Sequence, residues 1–340
     1  MHIGRRYKIT DFLVWTRWEA GYLISWSLFV TLLLQLSSWK FLTIPAPILT
    51  IIGSALAIIL AFKNAQCYAR SDSALGISGQ LTTNSYIFAN KLKATVGNLD
   101  AAESGPRLHE IFYRHFAWLT ALRFFLRESK TWENAFERGN AKFMAPLPPL
   151  ERQSVLQDEL KKYLSDAEVQ KIMTHPGDRE AFILRGQYDA VSDLLNKKLV
   201  SEYIMIVLTG QLDDLARLQG GLKRIKNYPY ARNYYSIAVI LVAVFAAIVP
   251  FALFPYAQDL GRPGGIERWT AWLNVPFSAI VGWVFVSLEK VGENSSNPFE
   301  GGSNDVPISS IARRIEIEMR MMLGEKTDLK PIEAKYDILL

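Results

Sequence analysis

Four long apolar stretches interrupt a chain that is otherwise polar or amphipathic. They run from Leu23 to Trp39, Ile44 to Phe62, Ser236 to Ala257 and Trp269 to Leu288. Each approaches the roughly 20 residues that a helix needs to cross a bilayer, so each is a predicted transmembrane helix. Ser25, Ser27, Thr31 and Gln35 dilute the first. The second carries no charge, opens on Pro45 and Pro47, and holds Gly53 and Ser54 at mid-span. Small and polar residues gain nothing against lipid and suit a helix that packs on others or borders a path.

Between the second and third stretches the pattern changes to helical amphipathicity. Phe112, Phe116, Leu119, Leu122 and Leu126 recur near helical spacing, with Arg114, Arg123 and Arg127 elsewhere. Val155, Leu156, Leu160, Leu164 and Val169 repeat the theme. Pro146, Pro148 and Pro149, and then His175-Pro176-Gly177-Asp178, are predicted breaks. Ser192 to Ile225 reads as one long helix returning to the membrane, with Gly220-Gly221 as a point of close packing or a hinge. Strand signals are scarce. The pattern therefore predicts an all-α membrane protein with five parts: a cytoplasmic segment 1–22, two spans within 23–62, a helical cytoplasmic domain 63–234, two spans within 235–288, and a cytoplasmic segment 289–340.

Composition fits this mosaic: half the residues are hydrophobic, yet the mean hydropathy is barely above zero. Arg5, Arg6, Lys8 and Arg17 precede the first span, and Lys63, Arg70, Lys223, Arg224, Lys226 and Arg232 flank the inner ends of the second and third. The positive-inside rule then places both termini and the long middle section in the cytoplasm. No cleavable signal peptide is expected, because Arg17 and Glu19 interrupt the approach to the first span and no small-residue cleavage site follows. Juxtamembrane bias accounts for the net charge of +5. Nucleic acid is not an expected partner, since no basic stripe with interleaved aromatics lies away from the membrane ends.

Enzyme chemistry finds no foothold. His2, His109, His115 and His175 include no pair at i, i+4 with an adjacent Glu, the arrangement a zinc protease helix needs. They read as solvated or capping residues. Cys67 is alone, which excludes an intrachain disulfide and a cysteine metal site; packing is its expected role. Asp213-Asp214 reads as a solvated face. No cofactor and no metal are expected.

Asn297-Pro298-Phe299, followed by Asn304-Asp305 and Pro307, resembles the NPFG…ND-x-P signature of the bestrophin family. Phe62-Lys63-Asn64 with Tyr68-Ala69-Arg70, and Gly220-Gly221 with Asn227-Tyr228-Pro229, resemble further motifs of that family. Their order and the layout of two spans, insert and two spans agree across nearly the whole chain, most closely with the bacterial branch. The resemblance implies a homopentameric ion channel of the inner membrane, assembled from copies of itself in the lipid bilayer. A narrow hydrophobic neck in the second span and a second, cytoplasmic constriction are also implied.

Carried over through Gly53 and Phe62-Lys63, the neck falls at Ser54, Ile58 and Phe62. Spacing i, i+4, i+8 places all three on one helix face, although apolar stripes ordinarily mean a buried core. Counting back without gaps from Gly220-Gly221 puts the lower constriction at Val191. Chloride is the family default for the permeant monovalent ion. A cation-selective channel of the same architecture and a non-conducting membrane-anchored scaffold stay open. Calcium-activated members carry an acidic run after NPFG. Here the clasp segment, beginning at Asn297, keeps only Glu300 and Asp305, so no high-affinity Ca²⁺ site is expected of a cation that takes six to eight oxygens. Arg232 stands where the family has phenylalanine and reads as a snorkelling anchor or as an anion-attracting group.

Overall fold

The computed structural model describes residues 1–37, 39–96, 101–133 and 147–340. In chain order its helices are α1 (Ile9–Trp15), α2 (Arg17–Leu36), α3 (Ala46–Val96) and α4 (Ala101–Arg127). There follow α5 (Leu156–Leu160), α6 (Asp166–Thr174), α7 (Arg179–Asn196) and α8 (Glu202–Asn227). The remainder are α9 (Arg232–Asp259), α10 (Glu267–Thr270), α11 (Asn274–Asn294) and α12 (Ile308–Leu323). Among the described residues the only β pairing is a pair of isolated bridges, His2 to Ile338 and Lys335 to Ile338. Four helical segments are long and apolar enough to cross a membrane: α2, the start of α3, α9 and the helix leading through α11.

α3 is the spine. Its 51 residues make a rod of roughly 75 Å at 1.5 Å per residue, more than twice a bilayer's hydrocarbon thickness. It runs through Phe62-Lys63 without a break, so the residue at which hydrophobicity ends is not where the helix ends. Past that point two buried hydroxyls are satisfied by the helix's own carbonyls: Ser78 Oγ donates to Ala74 O and Ser85 Oγ to Leu81 O, both at 2.8 Å. Such back-bonding lets serine occupy a buried helix face.

In the apolar bundle, Leu56 and Leu60 of α3 pack against Ala238, Val242, Phe245 and Val249 of α9. Asn274 ties three helices together, donating to Thr31 Oγ1 at 2.9 Å and to Pro250 O at 3.1 Å while accepting from Ser278 Oγ at 2.9 Å. Beyond the bundle, α4 buries the five apolar positions read from its periodicity. They join Leu81, Phe88 and Leu92 of α3, Leu208, Leu212 and Leu215 of α8, and Ile315 and Met319 of α12 in one core. Gly221 sits where α8 crosses α3: a Cβ there would lie 3.1 Å from Ile77 Cδ1, a close approach that Gly220 does not share.

Three expectations need correction. The single helix predicted over Ser192–Ile225 is two, α7 and α8, because Lys198 takes a left-handed φ of 57°. Leu199 N then bonds back to Leu194 O, and Ser201 caps the new helix at Ile204 N. The helix expected through residues 155–173 is also two, since Ser165 and Glu168 form a capping box that starts α6. His115 is neither solvated nor capping but fully buried, with a ring nitrogen 3.0 Å from Ser85 Oγ. The breaks at Pro148-Pro149 and at residues 175–178 lie between helices; Pro146 falls outside the described residues.

Candidate functional site

Ser54, Ile58 and Phe62 lie together on the outward side of α3, with Ile58 58% and Phe62 68% exposed. Ala55, Ala57, Ala61 and Ala65 are exposed around them. This is the least covered of the four candidate spans: 17% of its most apolar stretch is buried within the chain, against 28–39% in the others. Small side chains beside the stripe allow another helix to approach closely.

The opposite side of the same helix is locked. A Cβ on Gly53 would lie 3.0 Å from Phe245 Cε2, so the α9 ring packs directly on the backbone there. One residue past Phe62, Lys63 turns inward, is 2% exposed, and pairs with Glu289 of α11. Its ammonium also lies 4.6 Å from the centre of the Tyr235 ring, a cation–π distance. The Tyr235 hydroxyl donates to Glu293, and Asn64 Nδ2 donates to Leu288 O at 3.0 Å. A Cβ on Gly292 would collide with the Asn64 amide, so glycine is what lets α11 approach here. Lys63, Glu289, Tyr235 and Asn64 therefore hold the stripe's orientation. Two of them sit in the motifs quoted for the family resemblance, but their partners lie some 170 to 230 residues away.

Val191 is placed elsewhere. It is fully buried in α7, within the core that contains Leu184, Leu194 and Leu208. A side chain closed inside its own chain cannot form a ring around an opening, so the constriction expected at Val191 is withdrawn.

The segment after α11 folds into a buried loop. Asn297 is buried, and its Nδ2 faces Trp132 O at 3.5 Å. Asp305 is 1% exposed, and its carboxylate accepts from Gly301 N at 2.6 Å and Gly302 N at 2.9 Å. Gly301 has φ +96°, and a Cβ there would meet Pro149 Cγ at 2.6 Å, so glycine is required twice over. Arg127 at the end of α4 donates to Phe299 O at 3.1 Å and Val306 O at 3.2 Å, and lies 3.5 Å from Asp305 Oδ2. Arg152 donates to Glu300 O at 2.8 Å. Burial would raise the Glu151 carboxyl. Arg123, Arg127 and the Ser309 hydroxyl more than offset that and hold it below the usual carboxylate range. A Ca²⁺ ion here would need inward carbonyl and carboxylate oxygens, and the Phe299, Glu300 and Val306 carbonyls and the Asp305 carboxylate are already engaged by guanidinium and amide N–H groups. The residues present do not fit the ion. Among the described residues no other group of His, Cys, Asp and Glu has a metal-holding arrangement. The sequence did not single out Arg127 or Arg152, because the oxygens they serve come from more than 140 residues further on.

The model of the Bacterial/Fungal Bestrophin protein family matches residues 18–321. This chain belongs to that family. The bestrophin match spans all four candidate membrane helices and most of the polar layer. Among curated relatives, the voltage-dependent anion channel-forming protein YneE of Salmonella typhi is 27% identical over 279 residues, covering 82% of this chain and 76% of the relative. The protein of that name from Escherichia coli K12 is 26% identical, covering 81% and 76%. A mutant crystal structure of a bacterial bestrophin homolog from Klebsiella pneumoniae aligns with a TM-score of 0.73 at 18% identity, over 93% of this chain and 99% of that one. Another crystal structure of that homolog aligns at 0.71 and 18% identity, over 91% and 99%. At these identities the structural likeness speaks to the fold, and the bestrophin fold is what this chain has.

Proposed function

We propose that five copies of this chain surround a central axis in a bacterial inner membrane and passively conduct small monovalent ions, with chloride the default. The neck is formed by Ser54, Ile58 and Phe62, and α4 to α8 with α12 line a cytoplasmic vestibule below it. What supports this is the exposed stripe on α3, flanked by alanines and backed by an inward-facing ion pair. A helix built to face only lipid has no use for Ser54 and a run of small side chains. The printed names of the YneE relatives, which are anion channel-forming proteins, point to anions.

An apolar neck works by barrier control. A bare ion in hydrocarbon-like surroundings costs tens of kcal/mol, so a narrow ring closes by dewetting and conducts when wider or hydrated. The hydroxyl of Ser54 makes the upper ring the wettest of the three. Phe62 ring edges carry partial positive charge, which favours an anion passing beside them, whereas ring faces turned to the axis would favour a cation. Both chain ends lie on one side of the bundle: Ile3 N bonds Asp337 O at 2.8 Å and Leu339 N bonds Met1 O at 2.9 Å. The basic flanks of the spans support a cytoplasmic position for that side.

Liposomes containing the purified protein test this directly. Chloride-dependent flux and a solubilised complex with the mass of five chains are expected. A monomer, or liposomes without flux, would leave a membrane-anchored scaffold. Reversal potentials under a NaCl gradient read the sign of the ion, and a cation preference would replace the anion assignment while keeping the architecture.

A further inference from the structure

The loop from Asn297 to Pro307 joins the last membrane helix to α12, and α12 packs on α3 and α4. It therefore connects the apolar bundle to the polar layer. Its turn leaves peptide oxygens of Phe299, Glu300 and Val306 and the carboxylate of Asp305 directed at the end of α4 and at Arg152. Glu151, from the segment before α5, faces the same point: Oε2 lies 4.0 Å from Arg127 Nε. Arg123 Nη1 and Ser309 Oγ each donate to Glu151 Oε1 at 2.6 Å. Inward oxygens around buried carboxylates need a cation. The side chains of Arg127 and Asp305 are each 1% exposed and that of Glu151 2%, so water does not supply the compensation.

We propose that the Arg127 guanidinium is the permanent, covalently tethered cation of this loop, so that the joint between the two layers is held without a divalent metal. The group is protonated at any physiological pH and carries five N–H donors in a rigid fork. Two of its nitrogens serve two carbonyls, and the charge stands between two carboxylates. A bound metal leaves when its free concentration falls; a side chain does not. This does not depend on whether the assembly conducts, and its readouts are independent of flux.

The test uses the full chain purified in detergent, with calcium alone as the probe. The unaltered protein is expected to melt at the same temperature in chelator and in about 1 mM Ca²⁺, a level that fills weak calcium sites. Arg127→Gln keeps polar contacts but removes the charge. It is expected to melt several degrees lower in chelator and to regain part of that loss when Ca²⁺ is added. Arg127→Lys, which keeps the charge, is expected to fall between the two. Calcium sensitivity of the unaltered protein would overturn the proposal, as would a Gln variant that melts like it. A loss in Arg127→Gln that calcium does not reverse overturns it as well, since hydrogen bonding alone would then hold the loop. If Arg127→Gln yields no folded protein, the Lys variant decides: folded and calcium-insensitive supports the tethered cation, and equally unfolded sinks it.

Discussion

At residues 54–63 the two sides of α3 carry opposite chemistry. The inward side holds Leu56, Leu60 and the Lys63–Glu289 pair, all closed within one chain. The outward side shows Ile58, Phe62, a serine hydroxyl and alanines to whatever surrounds the molecule. A helix on a water-soluble protein does the reverse, hiding its apolar stripe and exposing its charge. Here the strongest local electrostatic interaction fixes which way the helix faces, and the outward stripe has no structural duty inside its own chain. Stability and conduction should accordingly respond to different substitutions only one or two residues apart.

The largest effect is expected from splitting the ion pair. Lys63→Met alone leaves Glu289 buried without its cation and should cost about 3–5 kcal/mol, most of it recovered in Lys63→Met with Glu289→Gln. Thermal melts of the three variants in detergent check this, and additive losses would mean that the pair is not coupled. Next, matched truncations separate the two sides. Leu60→Ala, at a 1% exposed position, should cost about 2–5 kcal/mol. Ile58→Ala with Phe62→Ala should leave the melt of the single chain nearly unmoved and raise conductance or leak in planar bilayers. Unchanged currents would remove the neck from these residues.

The polar layer adds a buried titratable group of another kind, His115, whose ring nitrogen lies 3.0 Å from Ser85 Oγ. Burial lowers the His115 pKa from 6.5 to about 3. The folded state thus binds fewer protons there than the unfolded chain, and stability is lost as pH falls from about 6.5 toward 3. By pH 4.5 the loss should be about 2–3 kcal/mol. Denaturant titrations across that range should show this slope, and His115→Gln should flatten it. The smallest change is expected from Ser165→Ala, which removes one side of the α6 capping box for about 1 kcal/mol and leaves ion flux alone.

Much of the fold was legible because hydropathy and periodicity are local. The four apolar stretches became helices, and Phe112, Phe116, Leu119, Leu122 and Leu126 are all core residues. The turn at 197–201 was hidden because it uses Lys198, not glycine, in the left-handed region. The helix start at Ser165 was missed because the apolar rhythm from Val155 to Val169 runs across it. The outward stripe was legible from spacing and resemblance together. Lys63 was read only as a motif residue and a basic flank, since nothing in the local sequence says that its ammonium meets Glu289. Arg127 looked like one more polar position on an amphipathic helix, because its partners come from residues 151 and 299–306.

The unbroken length of α3 has a mechanical corollary. A full turn takes 3.6 residues, so positions four apart are displaced about 40° around the axis. Ser54, Ile58 and Phe62 therefore climb the rod as a shallow screw thread, and a straight rod cannot aim all three at one line. In the proposed neck, torsion of that size delivered from the far end of the rod would change which of them meets the axis: hydroxyl, branched alkyl or aromatic ring.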